Sequence, residues 1–184
     1  MKNTILTSAI LLATVGFTFA QNPPSDNATL NVNLNSVKTI EVLSPTVDID
    51  VVTAADYVAA ASTTGNGVFT NEAAHLKVVS TGAFKVTASS TTDLIGQTVA
   101  TESISKSNIY LHASNAVTPV GSATVGLTTP TERSLAAATP LIETTGGTPG
   151  TTFDVKYTLR GQDDIANLSD QTYTTTVVYT LEDN

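Results

Sequence analysis

Phe153-Asp154-Val155-Lys156-Tyr157-Thr158-Leu159 and, a little further on, Tyr173-Thr174-Thr175-Thr176-Val177-Val178-Tyr179-Thr180-Leu181 decide the class of fold. In an extended chain successive side chains point to opposite faces. Phe153, Val155, Tyr157 and Leu159 therefore share one apolar face, with Asp154, Lys156 and Thr158 on the other. In the second stretch Tyr173, Thr175, Val177, Tyr179 and Leu181 line up in the same way. Both stretches consist largely of β-branched and aromatic residues, which suit a pleated surface. Both are predicted to be core strands.

The same period of two recurs upstream. Phe84, Val86 and Ala88 oppose Lys85, Thr87 and Ser89, and residues 75–81 form a companion run across Gly82, which marks a bulge or hairpin. Residues 37–43 and 47–52 are short runs separated by the turn signal Ser44-Pro45, and in the second Val47, Ile49 and Val51 oppose Asp48 and Asp50. Leu30, Val32 and Leu34 alternate with Asn31, Asn33 and Asn35, which predicts a first strand. Ile109 and Leu111 oppose Tyr110 and His112 within residues 104–113, and residues 123–128 and 141–144 are further strand candidates. Residues 129–138 admit both a helix opened by Thr129-Pro130-Thr131-Glu132 and an extended edge. Gly146-Gly147-Thr148-Pro149-Gly150 is predicted to be a plain loop. Thr53 stands three residues ahead of Asp56, a capping box, and predicts a short crossover helix through Ala61. Gly65-Asn66-Gly67 is predicted to be a turn. Together these signals predict an all-β protein: an immunoglobulin-like two-sheet sandwich of roughly eight to ten short strands, spaced by turn signals about every ten residues. Periodicity does not separate a sandwich from a barrel. No fixed-period repeat is present.

The opening of the chain has a different character. Lys2 precedes an apolar run from Ile5 to Phe19, and Thr18-Phe19-Ala20 places small residues three before and one before a cut, the pattern of a signal peptide over residues 1–20. The run is too short to span a bilayer, which takes about 20 apolar residues. Pro23-Pro24 and several turn formers then predict a flexible leader over residues 21–28, followed by a single sandwich domain over residues 29–184. The chain has no Cys, so disulfides, thiolate metal sites and a lipid anchor on cysteine are excluded. Its formal charge is −8, one more negative once Lys2 is removed. An acidic surface of this kind repels nucleic acid and anionic lipid. Only 13% of residues are charged, so the surface must be mostly Thr, Ser, Asn and Gly. The composition and the signal peptide predict a secreted, cell-surface or periplasmic protein with no membrane span after cleavage.

The final run, Tyr173 to Leu181, together with Gly82-Ala83-Phe84-Lys85-Val86-Thr87, resembles the WxL-like and related secreted immunoglobulin-like domains of bacteria. That resemblance implies a role in cell-surface attachment or in extracellular assemblies. The Trp-x-Leu signature itself is absent, since the chain has no Trp.

Catalytic chemistry finds little support in the residues. No Ser stands on a Gly-x-Ser-x-Gly turn and no Cys is present, so no catalytic residue is assigned. His75 and His112 lie inside expected strands without a metal-binding spacing. An enzyme would need one of them to converge with carboxylates in a pocket. Asp48 and Asp50 read as a solvated strand face that protects an edge. Asp163 and Asp164, in the loop that runs from Gly161 to Asp170, read first as turn formers. A sharper reading makes Asp163, Asp164 and Asp170 the candidate ligands of a calcium ion, and no other cofactor is expected. Asn27-Ala28-Thr29 and Asn167-Leu168-Ser169 fit the N-glycosylation pattern, which matters only in a host that uses it.

One organisational feature outweighs these side chains. The leader runs straight into Leu30, Val32 and Leu34, a candidate assembly strand that could pair within its own sandwich or insert into a neighbour's open edge. The preferred expectation is a non-enzymatic structural or adhesive protein of the bacterial envelope or exterior, self-associating or bound to an envelope component. The runner-up is a monomeric binding module for a glycan, wall polymer or partner protein, using an aromatic cluster drawn from Tyr57, Tyr110 and the strand tyrosines.

Overall fold

The computed structural model describes residues 30–117, 132–137 and 139–184. The predicted signal peptide, the leader, the candidate strand at 123–128 and most of the 129–138 stretch lie outside these residues. The chain divides into two units, Met1–Leu34 and Asn35–Asn184.

The second unit is built from strands β1 (Lys38–Val42), β2 (Val68–Ser80), β3 (Phe84–Ser89), β4 (Leu94–Gly96), β5 (Ser103–Ile104), β6 (Ile109–Val117), β7 (Arg133–Ser134), β8 (Pro140–Glu143), β9 (Thr148–Leu159), β10 (Tyr173–Thr174) and β11 (Val178–Asp183). One helix, α1 (Ala54–Ala61), lies between β1 and β2. Its start is the capping box expected from the sequence: the Asp56 N–H donates to the Thr53 hydroxyl at 3.2 Å and the Thr53 N–H to the Asp56 carboxylate at 2.8 Å. Among the described residues strand makes up 45% and helix 10%, an all-β, sandwich-like fold. Every strand pair among the described residues is antiparallel. The ladders form a five-stranded sheet in the order β1-β2-β9-β6-β7 and two three-stranded sheets, β11-β3-β8 and β10-β4-β5.

The alternating faces account for the core. Phe153, Val155, Tyr157 and Leu159 of β9 are all buried, as are Leu76 and Val78 of β2 and Ile109, Leu111 and Ala113 of β6 on either side. Phe84, Val86 and Ala88 of β3 join the same cluster, with Leu141 and Ile142 of β8. Burying an aliphatic or Phe side chain contributes roughly 1.5–3 kcal/mol, so this face-sharing is what holds the sheets together.

The structure departs from the sequence expectations at five places. Residues 30–35 form no strand among the described residues and are exposed: alternation supplies a face but not a hydrogen-bonding neighbour. Residues 47–52 keep their predicted faces, with Val47, Ile49 and Val51 against the core and Asp48 and Asp50 outside, yet they join no ladder. β2 begins at Val68, seven residues before His75, and Asn71, Glu72 and a bulge hide its first half from a period-two reading. The predicted loop at 146–150 is half strand, since β9 starts at Thr148, whose hydroxyl lies 2.5 Å from that of Thr151. Gly147 permits this because a side chain there would collide with the Ser80 carbonyl. Finally, the single strand predicted from Tyr173 to Leu181 is two strands in two sheets, β10 and β11, parted at residues 175–177.

Candidate functional site

The most unusual local geometry is the bulge in β2. Glu72 pairs with Val155 and Leu76 with Phe153, so three residues of β2 face one of β9. Ala74 takes a left-handed φ of 49°, costly for a residue with a Cβ, and its N–H donates to the Asp154 carboxylate at 2.6 Å. The bulge turns His75 inward, where it is 2% exposed. Its Nε2 lies 2.7 Å from the Tyr157 hydroxyl, which is also hydrogen-bonded to the Tyr179 hydroxyl. The His75 ring meets both tyrosines edge-on, with centroids 5.5 and 5.8 Å away.

Burial sets the protonation of this trio. It pushes the His75 imidazole below its ordinary value, so the ring is neutral at pH 7. It raises the Tyr157 phenol to about 12 and the Tyr179 phenol further still. Among the described residues His75 Nδ1 has no hydrogen-bond partner, and no carboxylate there orients the ring as a general base requires. The trio is a neutral tie between β2, β9 and β11.

Beside the trio lies a cleft of about 750 Å³. Its floor comes from the core: Leu94, Ile104, Ile109, Leu135, Leu159 and Ile165. One wall is the consecutive run 45–52 and the other the consecutive run 168–177. Among the described residues, no main-chain hydrogen bond is found for residues 45–51. Among the same residues β10, in the second wall, is an edge strand paired only with β4. Four of the five tyrosines of the chain, Tyr57, Tyr157, Tyr173 and Tyr179, line this cleft.

Glu102 fastens the second wall. Its carboxylate accepts from the Tyr173 hydroxyl at 2.7 Å, the Ser169 N–H at 2.9 Å, the Ser169 hydroxyl at 2.7 Å and Gln171 Nε2 at 3.0 Å. These donors, Tyr173 foremost, lower its pKa from 4.5 to about 2. Gln171 in turn accepts the N–H groups of Thr98 and Val99 at 2.7 and 2.8 Å.

The residues singled out from the sequence are scattered. Asp48, Asp50 and Asp170 border the cleft with His75, but none is bonded to it. Asp163 and Asp164 lie at the start of a 3-10 turn over Ile165–Asn167, where Asp164 accepts from Gln162 Nε2. Among the described residues no group of three or more His, Asp or Glu is placed to hold a metal ion, so Asp163, Asp164 and Asp170 are not brought together. His112 sits on β6 opposite Lys156. Tyr110 packs beneath the Arg160 guanidinium, 3.9 Å from the ring centroid, outside the cleft lining. Sequence reasoning missed the trio, because its members lie 82 and 22 residues apart. The one available signal was that His75 interrupts an apolar run.

In the other unit, Leu30, Val32 and Leu34 are 86%, 71% and 91% exposed. No protein-family model matches this chain, and no curated protein matches it significantly.

Proposed function

We propose that this chain is a non-enzymatic, exported structural or adhesive protein of the bacterial cell envelope or exterior, acting as a subunit of a surface assembly. The observation that carries the reading is the exposure of Leu30, Val32 and Leu34 on a segment that joins no strand among the described residues. Burying each such side chain is worth roughly 1.5–3 kcal/mol, so the segment gains by being covered. Its alternation suits strand addition, in which main-chain hydrogen bonds give affinity and every second side chain fills a pocket. The signal-peptide pattern supports export.

Sedimentation of residues 21–184 tests this. The parent protein is expected to pellet as ordered filaments, and L30S/V32S/L34S to stay in solution with an unchanged Tm. A parent that remains monomeric at high concentration would overturn the reading.

A second reading, a monomeric binding module for a glycan or wall polymer, draws on the four tyrosines of the cleft. Aromatic rings with neighbouring polar groups suit such ligands. It predicts pelleting only together with an insoluble cell-wall fraction, abolished by Tyr57→Ala.

A further inference from the structure

We propose that residues 44–51 are a strap over the cleft, which opens as a unit while both of its ends stay fastened. The inference stands apart from the assembly reading and concerns the second unit alone.

The strap is bounded by the points where its hydrogen bonds stop. At one end the Leu43 N–H donates to the His75 carbonyl at 2.8 Å. At the other the Asp56 carboxylate accepts from the N–H groups of Val52 and Thr53, at 3.2 and 2.8 Å. Between these anchors residues 44–51 join no ladder, and among the described residues they make no main-chain hydrogen bond and no ion pair. What holds the strap down is packing. Val47, Ile49 and Val51 are partly buried against the core, while Thr46, Asp48 and Asp50 are exposed between them.

The facing wall is built differently. Tyr173 and Thr174 pair with β4, the chain from Val178 onward pairs with β3, and Glu102 holds Ser169, Gln171 and Tyr173. Opening that wall breaks hydrogen bonds as well as packing. Local openings arise where buried apolar contacts and hydrogen bonds are few, and they need less free energy than global unfolding. Of the two walls, the strap is therefore the one that yields.

Its opening has a consequence for the floor. Ile104, Ile109, Leu135, Leu159 and Ile165 border the cleft together with Val47, Ile49 and Val51, and they are only 2% to 6% exposed. With the strap down this apolar floor is closed to solvent. With the strap lifted it is bared, while the anchors at Leu43 and Val52 leave β1 and α1 in place. Access of an apolar group to the floor is thus set by the strap.

The chain has no Cys, so a single introduced thiol reports on one position. In residues 21–184 carrying Leu159→Cys, thiol labelling is compared with the rate that global unfolding of the same variant allows, taken from its urea denaturation. Labelling is expected at least about tenfold faster than that limit, with little dependence on urea. Ile49→Ala, added to this variant, removes part of the strap's packing and should speed labelling by about tenfold. Ile142→Val, in β8 and outside the cleft lining, should lower global stability and leave the labelling rate unchanged. Labelling at the global limit, or labelling that Ile142→Val speeds as much as Ile49→Ala does, would overturn the strap. Fast labelling that Ile49→Ala does not alter would place the opening elsewhere and overturn it too. Ile109→Cys, also on the floor, is the reporter should Leu159→Cys not fold.

Discussion

His75 Nε2 stands 2.7 Å from the Tyr157 hydroxyl, with the two rings crossing at 84°. This contact joins a bulge in β2 to the central strand β9, and the bond from Tyr157 to Tyr179 carries it on to β11 in another sheet. Because His75 is buried and neutral, the tie is sensitive to acid.

The sign of that sensitivity follows from linkage. Burial lowers the His75 pKa below its unfolded value of 6.5, so at a pH beneath 6.5 the unfolded chain takes up a proton that the folded chain resists. The stabilising contribution is complete above pH 6.5 and is lost as pH falls toward the lowered folded value. Thermal melts between pH 7.5 and 5 should show Tm falling in the parent protein. In His75→Gln the fall should be shallower over the same range, and an equal fall would show that His75 is not its source.

Glu102 governs a separate and more acidic window. Its pKa is lowered from 4.5 to about 2 by the Tyr173, Ser169 and Gln171 donors, so its contribution is present above pH 4.5 and is lost between 4.5 and 2. Glu102→Gln cannot accept all four bonds. It should flatten the acid-induced loss of stability in that window while leaving the window above pH 5 unchanged. Hydrogen exchange at residues 169–173 should rise at neutral pH, since that wall is no longer fastened.

The bulge gives a prediction of opposite signs at two positions. Asp154→Ala removes the acceptor of the Ala74 N–H and should cost about 1.5–3 kcal/mol, the usual range for a hydrogen bond to a charged group. Ala74→Gly relieves a left-handed φ of 49° and should be neutral to stabilising by about 1 kcal/mol. Urea unfolding of both variants checks the pair. A destabilised Ala74→Gly would mean that the methyl group packs more than the backbone strains.

Much of the fold was legible because it depends on local rules. The period of two at Phe153–Val155–Tyr157–Leu159 and at Phe84–Val86–Ala88 placed side chains on the correct faces, and all of them are buried. The capping box at Thr53 and Asp56 announced α1. The same rule misled at Leu30, Val32 and Leu34 and at residues 47–52, where alternation is present but no ladder forms among the described residues.

What the sequence by itself determined is therefore the strand class, the inward faces and the start of the helix, since each rests on residues within a few positions of one another. Only the tertiary structure decided how β10 and β11 part into different sheets, how the bulge at Ala74 turns His75 toward Tyr157 and Tyr179, and how residues 45–52 and 168–177 come to border one cleft. Those outcomes depend on hydrogen-bond partners and packing neighbours far apart along the chain, and a sequence pattern specifies which face of a strand is apolar without specifying what lies against it.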